Sequence, residues 1–279
     1  DVLSCAYASH GDTKHVLLFP EDPREAFELT AKAFDYADRL QTPIFVLSDL
    51  DIGMNERLCK PLTWDDSQRM DRGKVMTREM LDEGKTFGRY LDVDGDGIPF
   101  RTYPGTHPTA GAYFTRGTTK DRMAKYSEAG PDYIENMERL LKKFETAKSL
   151  LPRPVRRTSD IATRVGVLYY GSTSPAMDEA FELLKNDNIV VDGLRVRAFP
   201  FHEDVEKFVA AHDTVFVVEQ NRDAQLRTLL MTECDMDPAR LVPVLHYDGT
   251  PITARFIAGA IAERLGAKTA QAQRSAAGN

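Results

Sequence analysis

Arg101 and Arg116 are the residues from which a chemistry can first be read. Both lie in the stretch 91–117, which runs Leu-Asp-Val-Asp-Gly-Asp-Gly-Ile-Pro-Phe-Arg-Thr-Tyr-Pro-Gly-Thr-His-Pro-Thr-Ala-Gly-Ala-Tyr-Phe-Thr-Arg-Gly. No helical or strand period survives in it, and Gly, Pro, Asp and Thr end regular structure and set turns. A guanidinium grips a carboxylate through a planar fork that a lysine ammonium cannot make. The two arginines therefore read either as grips for an anionic substrate or as ordinary surface residues. Irregular segments this long are usually functional or disordered, and the aromatics Phe100, Tyr103, Tyr113 and Phe114 argue against disorder.

Other spacings admit competing readings. Asp92-Val-Asp-Gly-Asp-Gly97 matches the opening of a calcium loop, with oxygens at alternate positions and a glycine at the sixth. Tyr103 stands where the closing bidentate Glu is required, so a tight Asp/Gly turn is the expected reading. Gly171-Ser-Thr-Ser-Pro175 has Ser174 at a helix N-cap and Pro175 at the first helical position, an end that caps a helix or holds a phosphate. Ser48, Asp49 and Asp51 follow a parallel strand, where ligands of open sheets gather, or they cap the next turn. Glu219-Gln-Asn221 follows another strand and is expected to tie its domain to a neighbour rather than touch ligand. The six histidines are scattered without zinc spacing. G-x-G-x-x-G, a P-loop lysine and G-x-S-x-G are all missing, so NAD, ATP and hydrolase chemistry are not indicated.

The bulk properties narrow the class. The chain has 279 residues, 42% hydrophobic and 28% charged, enough for one large domain or two ordinary ones. A net charge of -7 gives no support to nucleic acid or an anionic membrane as partner, and no apolar run approaches a membrane span. Three separated cysteines suit a reducing cytosol, and no iron–sulfur cluster held by this chain alone is expected, since such clusters usually take four thiolates. The chain opens at Asp1 within what reads as an α/β unit, which suggests part of a longer polypeptide.

The elements that must position these residues follow from periodicity. Residues 1–8 suggest the end of a helix. Residues 15–19 and 43–47 read as buried strands around a helix over 23–40, capped by Asp22 and apolar on two faces, so expected to be covered on both. Residues 55–90 are irregular and basic through Lys60, Arg69, Arg72, Lys74 and Arg78, a solvated face or a docking surface for a partner subunit, with a helix near 77–83. A helix over 131–151 carries an apolar stripe including Ile134 and Leu141, with Glu135/Arg139 and Glu138/Lys142 pairs on its other face. From 165 on, strands at 165–170, 194–199, 214–218 and 241–245 alternate with helices at 175–185, 203–211, 224–233 and 251–265, a doubly wound parallel sheet. Residues 267–279 read as a loose tail.

Several of these segments resemble the alpha subunit of 2-oxoacid:ferredoxin oxidoreductases, most of all 2-oxoglutarate:ferredoxin oxidoreductase. They are Pro20-Glu-Asp-Pro-Arg-Glu-Ala-Phe27, Gln41-Thr-Pro-Ile-Phe-Val-Leu-Ser-Asp49, Asp94-Gly-Asp-Gly-Ile-Pro-Phe-Arg-Thr-Tyr-Pro-Gly105, Tyr113-Phe-Thr-Arg-Gly117, Tyr169-Tyr-Gly-Ser-Thr173, Phe199-Pro-Phe201, Val217-Val-Glu-Gln-Asn221 and Tyr247-Asp-Gly-Thr-Pro251, in the family's order. The resemblance implies the fold class: α/β, the end of a thiamine-diphosphate-binding parallel-sheet domain followed by a transketolase C-terminal-like doubly wound parallel sheet. The expected divisions are 1–60 for the pyrimidine-type domain, 61–130 for the substrate-loop region, 131–154 for a connecting helix, 155–266 for the transketolase-like domain and 267–279 for the tail.

The family's enzymes decarboxylate a 2-oxoacid on thiamine diphosphate, pass electrons through an iron–sulfur cluster to ferredoxin and form an acyl-CoA. By resemblance, Arg101 and a threonine hold the substrate carboxylate; Thr115 precedes the Arg-Gly pair, and Thr106 and Thr109 are the alternatives. Thiamine diphosphate, Mg2+ and the [4Fe-4S] cluster are expected mainly from the beta subunit and an N-terminal part of the alpha subunit. The implied partners are that subunit, that N-terminal part, ferredoxin, the 2-oxoacid and CoA, in the cytoplasm, with this chain inactive alone. Three positions depart from the pattern: Thr118-Thr-Lys-Asp121 replaces Gly-His and an acid, which bears on substrate identity, while His202 and Ala224 replace a proline and a glycine. The competing reading is a non-catalytic scaffold or docking subunit of another transketolase-like complex, calcium-binding through Asp92–Asp96.

Overall fold

Alternate side chains of the strand Val165–Tyr170 go to opposite cores: Leu168 packs with one set of buried residues, Val167 and Tyr169 with another. That two-residue period dictates a sheet covered on both faces. The computed structural model describes residues 1–267. Its elements are α1 (Val2–Ala6), β1 (Val16–Leu18), α2 (Pro23–Leu40), β2 (Ile44–Val46), α3 (Leu50–Gly53), α4 (Arg78–Asp82), α5 (Gly130–Leu150), β3 (Val155–Arg157), β4 (Val165–Tyr170), α6 (Ser174–Asn186), β5 (Asp192–Val196), β6 (Ala198–Phe199), α7 (Glu203–Ala211), β7 (Thr214–Glu219), α8 (Gln225–Cys234), β8 (Leu241–Leu245) and α9 (Ala254–Arg264).

The larger sheet has the order β3-β5-β4-β7-β8. β5, β4, β7 and β8 are parallel and β3 joins β5 antiparallel. α6 and α9 cover one face through Met177, Phe181, Leu184, Ile257 and Ile261. α7 and α8 cover the other through Phe208, Leu226, Leu229 and Leu230. This is the expected doubly wound sheet. The chain leaves β4 for β5 on one side and returns to β7 on the other, so the strand order reverses between β4 and β7.

The smaller sheet, β2-β1-β6, pairs β1 with β2 in parallel and with β6 antiparallel. α2 and α5 cover one face with Leu29, Leu40, Phe144 and Ala147 against Val16 and Leu18. On the other face Leu17, Phe19 and Phe199 join the core beneath α7 and α8. The two sheets therefore share an apolar core, and the chain steps from one to the other at Arg197. Burial of Glu25 accompanies that step: its carboxylate accepts from Arg195 Nη1 at 2.6 Å and from Arg197 Nε at 2.7 Å.

Local expectations met several corrections. The strand expected over 194–199 is two short strands, because residues 198–199 take their hydrogen-bond partners from β1 rather than β4. β3, a polar edge strand, had no apolar pattern to announce it. β2 is only half-buried, since it lies at the edge of its sheet. α2 is covered on one face within this chain, and Phe34 on the other is exposed. In α5, Ile134 and Leu141 are exposed, while Lys143 is buried with Phe144 and Ala147. The pairs Glu135/Arg139 and Glu138/Lys142 do not form; Arg139 donates to Gly97 O at 3.1 Å and Glu135 pairs with Arg122 at 2.9 Å. Ser174 does not cap α6: a single turn over Gly171–Thr173 precedes the helix, and Thr173 holds the cap position without a side-chain bond. The tail expected over 267–279 lies, from 268 on, outside the described residues.

Candidate functional site

Arg101 is held by both its backbone and its side chain. Its N–H donates to Lys74 O at 3.0 Å and its carbonyl accepts from Met76 at 2.9 Å, which laces the irregular segment 91–117 to residues 74–76. The guanidinium Nη2 lies 3.0 Å from Asp38 Oδ1, on the outer face of α2, and donates to Arg72 O at 2.8 Å. Arg72 approaches the same carboxylate, Nε to Oδ2 at 2.9 Å. Both guanidinia donate to the Tyr103 hydroxyl at 3.2 Å and lie over its ring, at 5.4 Å and 5.8 Å from the centroid. Two cations thus share one carboxylate and one phenol; Asp71 lies alongside, its N–H donating to Asp35 Oδ1 at 2.7 Å and its carboxylate 3.4 Å from Arg39 Nη1. Arg101 Nε is buried without a hydrogen-bond partner. A half-buried guanidinium can donate to an incoming carboxylate.

The other expected contacts spread along the loop. Thr106 adjoins the cluster: its hydroxyl donates to Tyr103 O at 2.8 Å and accepts from Tyr103 N at 3.2 Å, closing a turn. Thr109 is exposed, and its N–H donates to His107 Nδ1 at 3.1 Å. Thr115 is half-buried. Arg116 is exposed over the Tyr126 ring at 6.0 Å. Thr102, buried beside Arg101, pins the loop through a 2.6 Å bond to Gly111 O. Sequence reasoning missed Asp38, Arg72 and Tyr103 as partners of Arg101; the only signal was the basic run containing Arg72.

The acidic turn is filled from within. Asp92 accepts the N–H groups of Gly95 and Gly97 at 2.9 Å each, as an Asp/Gly turn should. Asp92, Asp94 and Asp96 converge closely enough to suggest a cation site. The Lys74 ammonium occupies it, bonding Asp94 at 2.6 Å, Asp96 at 2.7 Å and Ile98 O at 2.9 Å. Burial alone would lower the pKa of Lys74, but those two carboxylates outweigh it and raise it. This lysine supplies the positive charge that the calcium reading would have assigned to a metal.

At the reversal of strand order, the ends of β2, β4 and β7 meet. Leu47, Asp49, Tyr170, Ser172, Gln220 and Asn221 line a small cavity there of about 210 Å³. Asp49 caps α3 at Ile52 N, 3.1 Å away, and accepts the Ser172 hydroxyl. Gln220 donates to Ser172 at 2.8 Å, and Glu219 accepts from Leu226 N at 2.7 Å and Asn221 at 2.8 Å. Burial pushes the Glu219 carboxyl up, against the pull of those donors. Of Glu219-Gln-Asn221, Gln220 alone reaches toward the smaller sheet, through Ser172 to Asp49, while Glu219 and Asn221 bond β4, α8 and each other within the larger one.

An α/β pair of sheets, with an arginine-bearing loop pinned to the first, is the class of protein that fold and site define. No family model matches the chain. It is 27% identical over 270 residues to 2-oxoacid:ferredoxin oxidoreductase 2, subunit alpha, of Aeropyrum pernix, covering 94% of this chain and 40% of that protein. It is 24% identical over 234 residues to the 2-oxoglutarate synthase subunit KorA of Methanocaldococcus jannaschii, covering 79% of this chain and 56% of that one. Its homologues are thus alpha subunits of 2-oxoacid:ferredoxin oxidoreductases and of 2-oxoglutarate synthase. The same fold is seen in 2-oxoglutarate:ferredoxin oxidoreductase from Magnetococcus marinus, solved with 2-oxoglutarate, coenzyme A and succinyl-CoA bound, at TM-score 0.74 and 19% identity over 95% of this chain and 45% of that one. The chain spans about half or less of the length of these relatives.

Proposed function

We propose that this chain is part of the alpha subunit of a 2-oxoacid:ferredoxin oxidoreductase. With a beta subunit and the remainder of the alpha subunit, it serves the oxidative decarboxylation of 2-oxoglutarate, or a related 2-oxoacid, to an acyl-CoA with reduction of ferredoxin. The observation that carries the reading is Arg101: a guanidinium fixed on Asp38, backed by Arg72 and left with an unpaired buried Nε. A 2-oxoacid presents an anion that must be held while its carboxyl group leaves, and Arg101 with Thr106, Thr109 or Thr115 is the site proposed to hold it.

The cofactors of that reaction belong elsewhere in the assembled enzyme. Cys5 and Cys234 are half-buried and Cys59 is exposed at a distant place in sequence, three thiols where a [4Fe-4S] cluster usually takes four. Among the described residues, Asp92, Asp94 and Asp96 alone group as a metal site, and Lys74 fills it, so these residues do not fit the Mg2+ of thiamine diphosphate. No described helix is long and apolar enough to cross a membrane; a cytoplasmic enzyme is the proposal.

The test is Arg101→Ala in the reconstituted enzyme. Loss of one charge-assisted contact should raise KM for the 2-oxoacid roughly tenfold or more, with KM for CoA unchanged. An unchanged KM for the 2-oxoacid would remove Arg101 from the site.

A further inference from the structure

A second group of cations, sharing no residue with the Arg101 cluster, lies where the segment 88–98 crosses α5. Arg89, Lys120 and Arg139 all pack on the ring of Tyr90, at 5.5, 5.4 and 5.6 Å from its centroid. Lys143, one helical turn from Arg139, is 94% buried, being only 6% exposed. Arg89, Lys120, Arg139 and Lys143 form no ion pair among the described residues. The carboxylates that act on Arg139 are Asp92 and Glu135. Asp92 is committed to the N–H groups of Gly95 and Gly97, and Glu135 to Arg122. Arg139 Nε is buried with no hydrogen-bond partner.

The backbone holds these groups in place. Gly97 has φ +79°, and a Cβ there would meet Lys143 N at 2.4 Å and Arg139 O at 2.6 Å, so the loop seats directly on the helix at these two residues. Burying cations without counter-charge is strongly unfavourable, and the chain as a whole carries -7. Three half-buried cations about one aromatic ring, beside a buried fourth one helical turn from Arg139, form an arrangement that recognises a compact anion with several oxygens.

We propose that Arg89, Lys120, Arg139 and Lys143 form a binding site for a multiply charged oxyanion of the phosphate class, free or as the phosphoester end of a larger molecule. The inference stands on this cluster alone and does not depend on the proposed activity.

The test is calorimetric titration of the full chain, at low ionic strength, with inorganic phosphate and separately with ADP. Saturable binding of phosphate is expected, weakened roughly tenfold or more in Arg139→Gln and in Lys143→Met. ADP binding no tighter than phosphate assigns a free oxyanion, and ADP binding tighter, lost in the same variants, assigns a phosphoester; both support the site. Arg89→Gln, at a half-buried position, serves if either variant fails to fold. No saturable heat with either probe, or binding indifferent to all the substitutions that fold, overturns the proposal.

Discussion

Arg101 Nη2 lies 3.0 Å from Asp38 Oδ1, and that pair ties the substrate-loop arginine to the outer face of α2. Asp38 also receives Arg72, so one carboxylate sets the position of two guanidinia. Asp38→Asn keeps the shape and removes the charge. Arg101 should then lose its orientation, and KM for the 2-oxoacid should rise several-fold in the reconstituted enzyme while kcat and KM for CoA change little. Steady-state kinetics with each substrate varied in turn measures this. If KM for the 2-oxoacid stays put, Asp38 does not position Arg101 for binding.

Lys74 makes a separate prediction about metal. Its ammonium bridges Asp94 and Asp96, so the wild-type chain should give no saturable heat with calcium. Lys74→Ala leaves the carboxylates facing one another with no cation. The variant should lose about 1–3 kcal/mol of stability, and millimolar calcium should restore part of the loss in a thermal melt. Equal calcium response in wild type and variant would mean that the lysine does not fill the site.

How far these sites could be read from sequence depends on how local their determinants are. Asp22 and Pro23 announce the start of α2 because a cap and the first helical turn are neighbours in sequence. The alternation from β4 to α9 was legible because each strand is an apolar run and each helix has its own period. The break at Arg197 was not, because two sheets compete for one stretch of chain. Arg139 reads as the outer face of α5, paired with Glu135, since a periodicity count places charges outside; the segment 88–98 returns onto it and onto Lys143, which no sequence pattern marked. Arg101 stood out within its irregular loop, but nothing near Asp38 or Arg72 in sequence connects either to it.

Glu25 gives a prediction about acid. Burial raises its pKa, yet the hydrogen bond and charge of Arg195, the charge of Arg197 and the N–H of Glu21 outweigh burial and hold it below the ordinary 4.5. The stability it contributes is fully present above the unfolded value and is lost as pH falls through the depressed folded value. The chain should therefore lose stability steeply below about pH 4.5. Glu25→Gln should flatten that dependence and cost about 3 kcal/mol at neutral pH, because it strips a buried pair of one partner. Denaturant melts across the acid range measure both effects, and a variant with the wild-type acid profile would show that the junction at Glu25 does not govern it.

Lys143 predicts the opposite limb. Burial, then the charges of Arg139 and Arg89, push its pKa from 10.5 down to about 8. Below the folded value the lysine is charged in both folded and unfolded chains, and the whole cost of burying that charge opposes folding. Between the two values the unfolded chain still holds a proton that the folded chain has released, so stability rises with pH. Above the unfolded value both are neutral and the rise ends. A shift of this size corresponds to about 3 kcal/mol. Lys143→Met, which fills similar space without the charge, should raise stability at pH 7 by about 1–3 kcal/mol and abolish the rise between pH 8 and 10.5. Phosphate should stabilise the wild-type chain more than the variant, since the methionine offers nothing to an anion. A wild-type chain whose stability is flat across that alkaline range would mean that Lys143 keeps its proton through a counter-charge already within the fold.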